Sequence, residues 1–142
     1  MKQLSLKNKK GFTLVELIVV IVILAALAAF LIPSLAGFIQ RANNSVIMAE
    51  ARSALLAMQT MVSEDYAGGT ALPADSADGT FGTAGLAAAK ILGEYPGTVT
   101  SVEYDKGRVM TFTYANVNNS KYVIYTVTGG IGKYGEVQSG TP

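Results

Sequence analysis

The chain contains no cysteine and no histidine among its 142 residues. Without cysteine there is no disulfide framework and no thiol nucleophile. Without either residue there is no zinc site of the usual kind and no imidazole for acid–base catalysis. Whatever holds the fold together must be packing alone. Acidic residues are also missing from the first eleven positions, where Lys2, Lys7, Lys9 and Lys10 stand. Without residues 1–11 the chain would carry 7 basic and 10 acidic residues, a net of −3. The slight overall basicity therefore belongs to the leading segment and leaves no electrostatic footprint for nucleic acid. Internal repeats and long low-complexity stretches are absent too.

What the chain has in excess is apolar sequence, and it is concentrated. Hydrophobic residues make up 50% of the chain and the mean hydropathy is +0.35. From Phe12 to Ile32 every residue is apolar except Thr13 and Glu16. At about 1.5 Å per residue this stretch makes a helix roughly 32 Å long, the thickness of a bilayer's hydrocarbon core. No later segment is long or apolar enough for a second crossing. The lysines before it place the N-terminus in the cytoplasm and everything beyond about Gln40 outside. Glu16 is the anomaly. A carboxylate inside a membrane helix is costly and rare, and its default reading is functional.

The helical pattern continues beyond the apolar run. Ile47, Ala51, Ala54, Leu55, Met58 and Val62 recur at spacings of three and four, an amphipathic stripe. Gly68-Gly69 supplies a stop, so one helix of up to about 55 residues is expected from Phe12 to near Tyr66. Pro33 and Gly37 interrupt it. Residues 67–85, rich in Gly, Ala, Asp and Thr, read as loop, and Leu86–Leu92 as a short helix stopped by Gly93. Thr98–Tyr104, Val109–Ala115 and Lys121–Val127 are β-branched and aromatic runs separated by "DKGR" and "NVNNS", hence strands. In the middle run Met110, Phe112 and Tyr114 share one face and Thr111 and Thr113 the other. A weaker fourth strand involves Ile131 to Val137. The expected fold class is α+β: a long N-terminal helix packed on a small antiparallel sheet. The expected divisions are a leader at 1–11, a membrane helix at 12–39 and a globular head at 40–142.

The stretch Gly11-Phe12-Thr13-Leu14-Val15-Glu16, behind a short basic leader and ahead of an apolar helix, resembles the class III signal peptide of type IV pilins. The short leader and Phe12 are similar to the type IVa branch. The likeness is specific over residues 7–42 and extends beyond them in architecture only. It implies cleavage after Gly11 by a membrane-embedded prepilin peptidase, which then methylates the amine of Phe12. Glu16 falls at the fifth mature position, where the family keeps a carboxylate, and Pro33 where it carries a helix-breaking proline. It also implies a homo-oligomeric fibre, with an assembly platform and a cytoplasmic ATPase as partners, and roles such as adhesion or twitching motility. No enzyme activity and no cofactor are expected.

Elementary physics gives Glu16 a task in that setting. The amine released at Phe12 has a reference pKa of about 7.7–8.0 and is mostly cationic at neutral pH. In a water-poor helix bundle, Glu16 of one subunit pairs with that amine of its neighbour and so fixes the register of addition. Two plainer readings compete. Ala26-Leu27-Ala28 fits a secretory cleavage pattern, but Glu16 would interrupt the apolar region and the mature chain would begin at Ala29 in a greasy segment. A plain anchor for an unrelated binding module leaves Glu16 unexplained. Within the superfamily, a type II secretion pseudopilin and a DNA-uptake pilin share the same N-terminal third.

The remaining motifs have simple explanations. Gly130-Ile131-Gly132-Lys133-Tyr134-Gly135 fits G-x-G-x-x-G with no helix to follow, and reads as a glycine-rich turn. Asp75, Asp78 and Gly79 lack the spacing of a calcium loop and read as turn residues. Asn43-Asn44-Ser45 and Asn118-Asn119-Ser120 match the glycosylation sequon, a short pattern common by chance. Tyr104, Tyr114, Tyr122 and Tyr125 read as core and surface of the sheet.

Overall fold

A computed structural model describes residues 11–68, 72 and 79–142. The leader lysines, Gly69, Asp75 and Asp78 lie outside the described residues. The order of elements is α1 (Leu14–Tyr66), α2 (Thr83–Gly93), β1 (Thr98–Asp105), β2 (Arg108–Ala115), β3 (Lys121–Thr128), β4 (Ile131–Tyr134) and β5 (Gln138–Ser139). The architecture is α+β, as the residue pattern predicts. The chain divides into two compact units, one ending at Arg41 and the other spanning Ala42–Pro142.

In the first unit, the segment of α1 up to Arg41 is bare. Its large side chains are all exposed, from Phe30 at 86% to Ile18 and Val20 at 46%. The helix is long and apolar enough to cross a membrane, and it passes unbroken through Pro33. In the second unit α1 ends at Tyr66, because Gly68 takes a left-handed conformation (φ +74°) that glycine adopts without steric cost.

The sheet is an antiparallel meander in the order β1-β2-β3-β4, with β5 also pairing β3. Two of its hairpins are tight. Lys106-Gly107 and Gly129-Gly130 all have positive φ, the conformation of two-residue turns whose twist matches that of the strands. In the longer β2–β3 turn, Asn116 Oδ1 accepts from the amides of Ser120 (2.9 Å) and Lys121 (3.1 Å). The weak fourth strand expected over Ile131 to Val137 is the shorter β4, Ile131–Tyr134, and the two-residue β5 lies beyond it. The glycine-rich motif lies on the β3–β4 turn and β4, with no helix after it.

The apolar stripe of α1 covers the sheet. Ile47, Ala51, Ala54, Met58 and Val62 are buried as expected, Leu55 only partly, and Ala57 joins them. Against them pack Val99, Val102, Val109, Phe112, Tyr114, Val123 and Tyr125. Polar clamps fix the helix to the sheet. Gln59 Nε2 donates to Gly107 O (2.7 Å), while the amide of Val109 donates to Gln59 Oε1 (3.0 Å). The Tyr114 hydroxyl donates to Glu50 Oε2 (2.8 Å) and accepts from the amide of Gly97 (3.0 Å).

Two details differ from the sequence pattern. Val109 is fully buried and Met110 only partly, although alternation assigns Met110 to the core face. The β1–β2 register shifts on either side of Glu103. One extra residue enters β1 near Ser101 (φ +54°) and one enters β2 near Met110, and each bulge moves the following side chains to the other face. The second difference is α2, which starts at Thr83 rather than Leu86. Its N-cap, Gly82, makes no side-chain capping bond, so the usual start signal is missing. Gly93 belongs to the helix, and Glu94 takes the left-handed position beyond it (φ 49°). Glycine at 93 serves close approach instead: a Cβ there would stand 3.0 Å from Ala57 Cβ and 3.1 Å from Ser53 O.

Candidate processing and assembly site

Gly11, Phe12 and Thr13 lie ahead of the first helical turn, and Phe12 is 83% exposed. The first helical bond runs from the amide of Leu17 to Thr13 O (3.2 Å), which makes Thr13 the N-cap. A helix start leaves backbone donors without intrahelical partners. Here they are met reciprocally. The amide of Glu16 donates to Thr13 Oγ1 (3.2 Å), and the amide of Thr13 donates to Glu16 Oε2 (2.9 Å). The Thr13 hydroxyl closes the ring by donating to the same Oε2 (2.8 Å). This is a capping box, Thr-x-x-Glu. The positive end of the helix dipole favours a carboxylate in this turn as well.

The carboxylate singled out by the sequence is therefore engaged within its own chain. Reading Glu16 only as half of an intersubunit pair overlooked Thr13. The signal was legible, since threonine three residues ahead of glutamate at the head of an apolar run is a known helix start. The box engages Oε2 and places Glu16 three residues from Thr13 at the mouth of the helix, four residues from Phe12.

At Gly11 an added Cβ would meet nothing within 4 Å among the described residues. Gly37 is equally unencumbered. Pro33 lies within α1, between these two points. The two sequons are in the second unit, with Asn43 exposed on α1 and Asn118 exposed in the β2–β3 turn. Among the described residues no group of three or more Asp or Glu could hold a metal ion.

The first unit thus presents an exposed apolar helix headed by a capped carboxylate, and the second a head of helix on meander. The comparisons name the class. A family model, the prokaryotic N-terminal methylation motif, matches residues 6–32. The chain is 54% identical over 44 residues to the type IV wide pilus major component PilA4 of Thermus thermophilus, covering 31% of this chain and 34% of that protein. It is 31% identical over 123 residues to a fimbrial protein of Dichelobacter nodosus, covering 85% of this chain and 76% of the relative. The type IV major fimbrial protein FimA of the same organism is 30% identical over the same lengths. No solved structure gives a significant match. The chain belongs to the type IV pilin family.

Proposed function

We propose that this pilin is a structural subunit that polymerises through its N-terminal helix into an extracellular type IV pilus. Residues 1–11 are its leader, 12–39 its membrane and filament-core helix, and 40–142 its head. Before assembly it crosses the membrane once with its N-terminus in the cytoplasm. A prepilin peptidase cleaves between Gly11 and Phe12 and methylates the Phe12 amine. An assembly platform and its ATPase then move the subunit into the fibre. Glu16, held by Thr13 on one oxygen, pairs through its carboxylate with the Phe12 amine of a neighbour. Pro33 and Gly37 mark a weak turn that opens in the fibre. Naming of the relatives as pilus and fimbrial components favours this reading over a secretion pseudopilin.

The observation that carries the proposal is the bare apolar helix headed by a carboxylate, five residues after Gly11. In a monomer outside the membrane, so large an exposed apolar surface would be unsustainable, and copies of the same helix are its natural cover. Processing tests it directly. Gly11→Ala is expected to accumulate full-length precursor in the membrane and abolish fibres. Mass spectrometry of the wild-type mature chain should find methylated Phe12 at its start. A mature chain beginning at Ala29 would instead establish a secretory signal.

A further inference from the structure

The apolar run starts at Phe12, yet residues 11–13 are neither helix nor strand and α1 begins at Leu14. The Gly11–Phe12 bond therefore stands just ahead of the helix. Hydrogen bonding at the helix mouth explains the late start. For α1 to take in Phe12, the amide of Glu16 would have to donate to Phe12 O. That amide donates instead to Thr13 Oγ1 (3.2 Å). The hydroxyl of Thr13 thus occupies the donor that would carry the helix one residue further back. Cleavage adds water across the Gly11–Phe12 bond, leaving a carboxyl on Gly11 and the amine on Phe12. In a helix, the Gly11 carbonyl would be tied to the amide of Val15 and crowded by its own turn. Outside the helix it is open to attack.

We propose that Thr13 is a positioning residue for processing. As N-cap it stops α1 at Leu14 and holds the Gly11–Phe12 bond in the non-helical form that the peptidase cuts. The inference rests on the processing reading above. The match of the N-terminal methylation motif to residues 6–32, which spans both the cap and the bond, supports it independently of the hydrogen bonds. The blocking bond uses the main-chain amide of residue 16, so the role of Thr13 is separate from the charge of Glu16.

The test digests full-length precursor in detergent micelles with a prepilin peptidase and follows cleavage by mass spectrometry. Losing an N-cap hydroxyl shifts a helix start by about fivefold. Where only a fraction of the substrate is competent, apparent affinity falls by that fraction. Thr13→Ala should therefore raise KM by about fivefold with kcat unchanged. Thr13→Ser and Thr13→Asn, which also cap, should keep the wild-type KM. A double variant separates conformation from contact. Leu14→Pro puts proline at the first helical position, where it is favoured, and pushes residue 13 out of helical geometry without any hydroxyl. Thr13→Ala with Leu14→Pro should recover the wild-type KM. An unchanged KM in Thr13→Ala overturns the proposal. So does failure of the double variant to recover, since the peptidase would then be reading the hydroxyl itself. If the wild-type precursor is not cut between Gly11 and Phe12, the processing reading fails before any variant is made, so the two failures are distinguishable.

Discussion

Glu16 has two separable duties, because its carboxylate both caps its own helix and carries a charge. Glutamine also serves in a capping box. Glu16→Gln therefore keeps the cap and loses the charge, whereas Thr13→Val keeps the charge and loses the cap. If pairing with the neighbour's amine drives assembly, Glu16→Gln and Glu16→Ala should both impair fibres while leaving insertion and cleavage intact. Thr13→Ser should behave as wild type. Normal fibre yield and length from Glu16→Ala would remove the pairing role. A second residue-scale expectation concerns the buried phenols. Burial pushes Tyr95 up to about 12, and burial with the nearby Tyr125 does the same to Tyr134. Burial first, then the bond to Glu50, pushes Tyr114 higher still. An unfolded tyrosine titrates near pH 10. The folded head thus keeps protons that the unfolded chain releases. Its stability is complete below about pH 10 and falls as the pH rises through about 12. Urea melts of the head across this range, with tyrosinate absorbance as the second signal, should show both changes together. Tyr114→Phe should cost about 1–3 kcal/mol at neutral pH, since it strands the buried amide of Gly97.

At the scale of elements, α1 combines an exposed apolar part and a part clamped to a sheet. Proline at 33 removes the bond to the carbonyl of Ala29 and crowds it, a defect of about 3 kcal/mol in a helix interior. Gly37 adds about 1 kcal/mol relative to alanine. In a bilayer no water takes the freed groups, so the helix persists there. In a fibre, neighbouring helices and extension supply alternatives. A filament map should show a break at about residues 30–37, and Pro33→Ala with Gly37→Ala should restore helix and stiffen the fibre. Regular helix through Ala29–Gly37 in the wild-type fibre would refute it. The β1–β2 pair shows the opposite case, where geometry hides from the pattern. Bulges near Ser101 and Met110 put Val99 with Val102, and Val109 with Phe112, on the core face at spacings of three.

For the whole molecule, the boundary at Arg41 coincides with the end of the bare helix and the start of the covered one. A fragment beginning at Ala42 keeps the stripe from Ile47 to Val62 and every strand. It should be soluble, cooperative in urea and monomeric in sedimentation, with the same stability in reductant. Aggregation would mean that the stripe serves other subunits instead of its own sheet.

The sequence by itself determined the apolar segment, the N-terminal methylation motif, the strands and the stripe that covers them. These are all properties of neighbouring residues: hydrophobic run length, local charge and periods of two or 3.6. Thr13 and Glu16 belong with them, three residues apart. Tertiary structure alone decided what depends on residues far apart in the chain. Glu50 meets Tyr114 across 64 positions, and Gln59 meets Val109 across 50. Gly93 is glycine because α2 presses on Ala57 and Ser53. No local pattern encodes those distances, since each is set by how helix and sheet close on a shared interior.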